Sequence, residues 1–342
     1  MLDQTPLPAP YLLFLGDARD ELAAKMALSC ARFRADDCVG QLRLEGCAAD
    51  AGLPELSPAE AAARGARAMV VGVVSAGGRI DAGWVATIVA ALEAGLDVIA
   101  GMHERLRDVP EIAAAAARHG RSLHDLRHVD RPYAVFRTAT GAKRSGRRLL
   151  TVGTDCSVGK MHTALLLTDA MRAHGIDATF RATGQTGILI AGSGVAVDAV
   201  PGDFIAGAAE ALSPDAHADH WDVVEGQGSL FHPSFSGVSL GLLHGSQPDA
   251  LVLCHEPGRE HLRGLTDKPV PRLGDCVAVH LASARRANPE TRLLGIALNT
   301  CRLDEAAAAE AIADASDETG LVAVDPVRHG TAGLETLLER LP

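Results

Sequence analysis

Short apolar runs alternate with amphipathic or alanine-rich stretches along the whole chain. In the first half, YLLFLG (11–16) reads as a strand and residues 18–33 as a helix. CVGQLRL (38–44) is a second strand, and AMVVGVV (68–74) is a buried one that ends in the turn SAGGR. Residues 82–94 predict a helix, and LDVIAG (96–101) a strand. PEIAAAAARHG (110–120) predicts a helix opened by Pro and closed by Gly, the asymmetry that helix ends favour. Strands alternating with helices of this length imply a parallel sheet.

The polar, basic, glycine-containing segment RTATGAKRSGRR (137–148) interrupts that rhythm and reads as a linker. It divides the chain into a domain over 1–140 and another over 141–342. RLLTVG (148–153) then predicts a strand and 159–173 a helix. IDATFRA, WDVVEG, DALVLCH and LLGIALNT predict further strands, and VAVDPV (322–327) a last one before a C-terminal helix.

Composition sharpens this. The 342 residues are 47% hydrophobic with few aromatics, which suits helices packed on a buried parallel sheet. A net charge of −11 argues against a nucleic-acid or anionic-membrane surface, so an anionic ligand must be held by local donors. Lysine occurs only at 25, 143, 160 and 268, so a lysine inside a glycine pattern is informative. The seven cysteines form no CxxC pair and read as reduced thiols of a cytosolic protein. MLDQTPLPAP lacks the basic and apolar regions of a signal peptide, and no apolar run has transmembrane length. The expected location is the cytoplasm.

The first-half strand ending at Gly16 and Asp17 is not followed by GxGxxG, so a nicotinamide site there would rest on rhythm alone. His103 and Glu104 follow a strand edge, where they could contact a ligand or partner, but a solvated helix start is the favoured reading.

The second half opens with a stronger signal. Gly153, Thr154, Asp155, Cys156, Ser157, Val158, Gly159 and Lys160 have the G-x-x-x-x-G-K spacing of a phosphate-binding P-loop. Its glycines let successive N–H groups curl toward phosphate oxygens, the following helix adds its positive end, and the lysine adds a point charge. A nucleotide hydrolase or kinase places Ser or Thr next, to ligate Mg²⁺. Here Met161 and His162 follow, and Thr163 comes two positions late. The loop is thus suited to gripping a cofactor by its phosphates while chemistry happens elsewhere on it, as with coenzyme A, although ATP with Mg²⁺ held by other carboxylates stays open. Cys156, near a helix start, is expected to have a lowered pKa.

Downstream, Arg181 to Gly187 places polar residues at a strand's carboxyl edge, the ligand side of an open α/β sheet. Gln185 and Thr186 are candidate substrate or phosphate donors there. Asp198 falls in an apolar run, where a carboxylate is costly unless paired, and Asp203 sits where a helix begins and can cap it. WDVVEGQGS (221–229) ends a buried strand on Glu225, followed by Gln227 and Ser229. Glu225 is a candidate general base, a Mg²⁺ ligand or a structural acceptor. His232 is a further acid/base candidate; no GxSxG elbow supports a serine triad.

The segments GTDCSVGKM, RATGQTGILIAG, VDAVPGDFIAGAAE and VVEGQGSLFHPSFSGVSLGLLHGSQPDALVLCH resemble a family long known only as a domain of unknown function, since described as D-glutamate N-acetyltransferases. Its members are often mislabelled NAD-dependent epimerase/dehydratases. The resemblance spans essentially the whole chain and is strongest over 148–256. It implies an α/β fold with an N-terminal Rossmann-like parallel-sheet domain and a C-terminal P-loop NTPase-like parallel-sheet domain, the latter similar to dethiobiotin synthetase. Arg181 to Gly187 and Val224-Glu225-Gly226 fall on that enzyme's strand-edge motifs, whereas Met161 departs from its Mg²⁺-ligating Thr.

The activity so implied is acetyl transfer from acetyl-CoA to the amino group of an acidic D-amino acid, D-glutamate, with no metal. In the expected mechanism the P-loop residues 153–161, Met161 included, hold a phosphate of the coenzyme. Glu225, Asp198 or His232 takes a proton from the substrate ammonium. Backbone N–H groups after Glu225 and the Ser229 side chain meet the oxyanion, and Arg181 or Arg259 clamps the γ-carboxylate, with Gln185, Thr186 and Gln227 as further substrate contacts. The rivals are an ATP/Mg²⁺-dependent ligase or kinase and a non-catalytic nucleotide-binding protein. A homodimer is expected.

Overall fold

The computed structural model describes residues 7–128 and 135–342. The chain divides into two compact units. One comprises Asp3–Asp130 with Gln185–Ala196, and the other Arg131–Gly184 with Val197–Pro342. Both are α/β with parallel sheets.

In the first unit, β1 (Tyr11–Gly16), β2 (Cys38–Arg43), β3 (Ala68–Val71), β4 (Asp97–Ala100) and β5 (Leu123–Asp125) form a sheet in the order β2-β1-β3-β4-β5. The central strands are apolar on both faces because helices cover both sides: Leu12, Leu13, Phe14, Val70 and Ile99 have no exposed surface. Each such side chain contributes roughly 1.5–3 kcal/mol by leaving water. The helix expected over 18–33 forms only at Lys25–Phe33. Upstream, Asp20 accepts the Ala23 N–H at 2.7 Å, offering the backbone a turn in place of a helical bond. Strand β5 was not foreseen, since three residues are too few for an alternation to show.

In this sheet the reversal of strand order between β1 and β3 is where open α/β folds open a ligand crevice. Here Trp84 fills it. A side chain on Gly16 would lie 3.2 Å from the Trp84 indole nitrogen, which donates to Asp17 at 2.9 Å. His103 and Glu104 are not a solvated helix start. The Glu104 carboxylate accepts the Ile80 N–H at 2.7 Å, and the His103 N–H donates to the Gly78 carbonyl.

The second unit has β6 (Arg147–Gly153), β7 (Ala178–Arg181), β8 (Trp221–Val224), β9 (Ala250–His255), β10 (Arg292–Leu298) and β11 (Val322–Val324) in the order β11-β10-β9-β6-β8-β7. The P-loop strand β6 is therefore central, between β9 and β8. Residues 137–146 carry no regular element, yet they are tied to this unit. The Glu210 carboxylate accepts the N–H groups of Thr140 and Gly141 at 2.9 and 2.8 Å. The Arg144 guanidinium donates to the carbonyls of Glu210, Ser213, Gly245 and Ser246, which end the helices Ile205–Leu212 and Ser236–Ser246. One cation thus satisfies the carboxyl ends of two helix dipoles. The expected C-terminal helix is broken into single turns, Pro326–His329 and Glu335–Leu338, around a 3-10 segment. Among the described residues, no helix is long and apolar enough to cross a membrane.

Candidate active site

Strand β6 runs apolar and buried until Gly153, where the chain turns over residues 154–159 before the helix Lys160–Ala173. Two residues take left-handed backbone: Ser157 at φ 56° and Gly159 at φ 103°. The second conformation is one that glycine adopts without steric cost. Residues 156 and 157 form a turn that closes on Val158, and among the described residues the N–H groups of Cys156, Ser157 and Gly159 meet no backbone acceptor. Backbone donors curled at a helix start are the chemistry of which anion-binding nests are made. Lys160 is buried, and its Nζ donates to the Asp155 carbonyl at 2.8 Å, folding back across the curl. Burial lowers its pKa, as expected where an ammonium has lost water.

The position that holds a metal-ligating hydroxyl in phosphoryl-transfer P-loops is Met161. Thr163 does not substitute for it, because it lies two positions further along the helix and is buried. Cys156 departs from its expectation. Desolvation raises its pKa, outweighing the lowering by Lys160.

The edge of β8 is stitched to this loop. The Thr151 hydroxyl donates to the Lys160 carbonyl at 3.1 Å and accepts the Gly226 N–H at 3.0 Å. A side chain on Gly226 would meet the Thr151 carbonyl at 1.7 Å, so the close approach demands glycine. Glu225 is thereby held beside the P-loop, 3% exposed. Its Oε2 accepts the N–H groups of Thr183 and Gly184 at 2.9 and 3.1 Å, and its Oε1 accepts Gln227 Nε2 at 3.1 Å. Ser229 is buried; its hydroxyl donates to the Thr154 carbonyl at 3.0 Å and accepts the Phe231 N–H at 3.2 Å.

The other side of the loop is built by residues after β9, of which sequence reasoning named only Arg259. The Thr154 hydroxyl hydrogen-bonds His255 Nδ1 at 3.0 Å. Burial, reinforced by Arg259, pushes the pKa of His255 down to about 4. Arg259 donates to Asp155 Oδ2 and to the Cys156 carbonyl, both at 2.7 Å, and pairs with Glu256. The Arg263 N–H also donates to Asp155 Oδ2, at 2.7 Å, and its guanidinium donates to Ser157 Oγ. The signal for these residues was present in CHEPGREHLR, a polar run directly after an apolar strand. It is the same rule that singled out Glu225.

The remaining sequence candidates are dispersed. Arg181 does not face the loop as a free clamp; its Nε donates to the buried Asp222 at 2.6 Å. Arg259 is likewise committed to Asp155 and Glu256. Asp198 is exposed on a 3-10 turn, so its apolar neighbours do not bury it and the expected desolvation cost does not arise. Asp203 does not cap the helix Ile205–Leu212; it lies in a 3-10 turn, and the capping position falls on Phe204. Gln185 and Thr186 begin the helix Gln185–Ala191 in the first unit, where Gln185 packs against Gly101. His232 has both ring nitrogens engaged: Nε2 with the Arg263 carbonyl at 3.0 Å, and Nδ1 with the Ser234 N–H at 3.2 Å. Asp155, Cys156 and His232 bring one potential metal-ligand atom each within 4.8 Å of one another. These backbone bonds compete for the imidazole, and Arg259 and the Arg263 N–H take Asp155 Oδ2, while the buried Asp155 Oδ1 has no partner among the described residues.

Sheet topology and loop geometry define a protein that joins a Rossmann-like unit to a P-loop unit. The chain belongs to the DUF1611 family: residues 136–335 match its P-loop domain and residues 42–129 its Rossmann-like domain, both described as domains of unknown function. It is 52% identical over 328 residues, 96% of this chain and 98% of the relative, to a protein of Tritonibacter scottomollicae named D-glutamate N-acetyltransferase. A Pseudoalteromonas sp protein of the same name is 50% identical over 321 residues, 94% of this chain and 96% of its own length. The crystal structure of a DUF1611 family protein from Anabaena variabilis superposes with a TM-score of 0.84 at 34% identity, covering 98% of this chain and all of that one.

Proposed function

We propose that this chain is a D-glutamate N-acetyltransferase that draws its acetyl group from acetyl-CoA, with the P-loop holding the phosphates of the coenzyme. Relatives bearing that name match nearly the whole chain. The observation that carries the role of the loop is the curl from Cys156 to Gly159, where the amides of Cys156, Ser157 and Gly159 meet no backbone acceptor among the described residues, capped by Lys160 and followed by Met161. It has the donors for phosphate and lacks the hydroxyl for Mg²⁺.

In this reading Lys160 leaves the Asp155 carbonyl for a phosphate oxygen. Glu225, positioned by Thr183, Gly184 and Gln227, accepts a proton from the substrate ammonium on Oε1. The amine nitrogen then bonds to the thioester carbonyl carbon as the carbon–sulfur bond breaks, giving the N-acetyl amino acid, the free thiol and one released proton. The backbone N–H groups after Glu225 remain the oxyanion donors of this reading, because the Ser229 hydroxyl is already spent on Thr154. His232 and Asp198 drop behind Glu225, one for want of a free ring nitrogen and the other for its exposure to water.

The test is release of free thiol from acetyl-CoA against a panel of D- and L-amino acids. Release with D-glutamate well above its enantiomer is expected. No release with any amino acid would overturn the proposal.

A further inference from the structure

A chain of contacts leads outward from the P-loop on the β9 and β10 side. Asp155, with no exposed surface, pairs with Arg259 at 2.7 Å; Arg259 pairs with Glu256; Glu256 reaches Arg302 at 3.5 Å. A branch runs from Asp155 and Ser157 to Arg263. The inner members are buried or nearly so, whereas Arg302 keeps 75% of its side-chain surface exposed and Arg263 is exposed too. Only Arg259 and Arg302 pair with these carboxylates through their guanidinium groups; Lys160 meets the Asp155 carbonyl, and the Arg263 guanidinium meets Ser157 Oγ. The same edge carries Asn299, three residues before Arg302, whose Cβ lies 3.8 Å from where a Gly159 side chain would begin. Arg302 therefore follows directly on the segment that borders the loop.

Arg259 is consumed in neutralising Asp155 and Glu256, and its part is to hold the loop open in shape. The two rim arginines have guanidinium surface to spare, and a guanidinium fork matches phosphate geometry. Coenzyme A carries a diphosphate and a separate phosphate on its ribose. A single curl of amides is filled by the diphosphate, which leaves the ribose phosphate to be met outside it.

We infer that Arg263 and Arg302 form a second anion subsite beside the P-loop: Arg263 meets the diphosphate in the curl, and Arg302 reads the ribose 3′-phosphate of the acetyl donor. The inference rests on the acetyl-CoA reading above. It makes Arg302 a specificity residue for the 3′-phosphorylated donor.

The experiment compares acetyl-CoA with its 3′-dephospho form as donors to D-glutamate, in the wild type and in R263A and R302A, with folding checked by thermal melts. The wild type should show a KM at least about tenfold lower for acetyl-CoA than for the dephospho donor, the loss of one charge-assisted phosphate contact. R302A should bring the two KM values together by raising that of acetyl-CoA, with kcat retained. R263A should raise both KM values and keep their ratio. Equal KM values for the two donors in the wild type, or a wild-type ratio preserved in R302A, would overturn the subsite while leaving the acetyltransferase intact. A wild type that releases no thiol from either donor fails the parent reading instead.

Discussion

The hydroxyl of Ser229 donates to the carbonyl of Thr154 at 3.0 Å, so the loop after β8 holds the first turn of the P-loop. Ser229 also accepts the Phe231 N–H, which leaves it no role as a free oxyanion donor. Replacing it with Ala leaves a buried carbonyl without its partner, at a cost of about 1–3 kcal/mol. S229A should therefore melt lower and show a raised acetyl-CoA KM, with kcat within a few-fold of wild type. A kcat loss of about a hundredfold at unchanged KM, the usual effect of deleting an oxyanion donor, would restore the catalytic role.

Glu225 should behave oppositely. E225Q keeps the shape of the side chain but removes the proton acceptor, and kcat should fall by about 10²–10⁴ with the acetyl-CoA KM little changed. An E225Q enzyme within tenfold of wild type would move the base elsewhere.

Metal removal separates acetyl transfer from ATP chemistry. Met161 supplies no hydroxyl, Thr163 is buried two positions further on, and Asp155 Oδ2 is taken by Arg259 and the Arg263 N–H, so Asp155 Oδ1 is the one loop carboxylate oxygen left to a cation. Acetyl transfer to D-glutamate should proceed equally in EDTA and in added Mg²⁺. Activity lost in EDTA and regained with Mg²⁺ would contradict this donor set.

Burial pushes both His255 and His280 down to about 4 from an ordinary 6.5. Between those values the unfolded chain binds protons that the fold refuses. Stability is therefore complete above about pH 6.5 and falls as pH drops toward 4, by roughly 2 kcal/mol per histidine at about pH 5. Denaturant unfolding of wild type and H280Q at about pH 7 and pH 5 checks this: the variant should lose less on acidification. Parallel losses would remove His280 from the linkage.

How far the sequence led depended on how local the signal was. The P-loop could be read because its glycines, lysine and flanking strand and helix are contiguous, and the apolar runs from Leu12 to Leu15 and from Leu149 to Val152 marked buried central strands. Arg181 misled: its place at a strand edge was visible, but the buried Asp222 that claims it lies 41 residues away. Nothing local signalled that Gln185–Ala196 packs with the first unit, since that depends on apolar faces distant in sequence. Arg263 and Arg302 escaped notice because their meaning lies in a chain of ion pairs through Asp155 and Glu256 that only the fold assembles.

The central claim is that amides and one lysine grip the acetyl donor by its phosphates. The acetyl-CoA KM of K160A, measured with D-glutamate saturating and EDTA present, tests it most directly. A rise of at least about tenfold, with the D-glutamate KM close to wild type, is the predicted result for a lost charge-assisted phosphate contact. A folded K160A whose acetyl-CoA KM equals that of the wild type would contradict it.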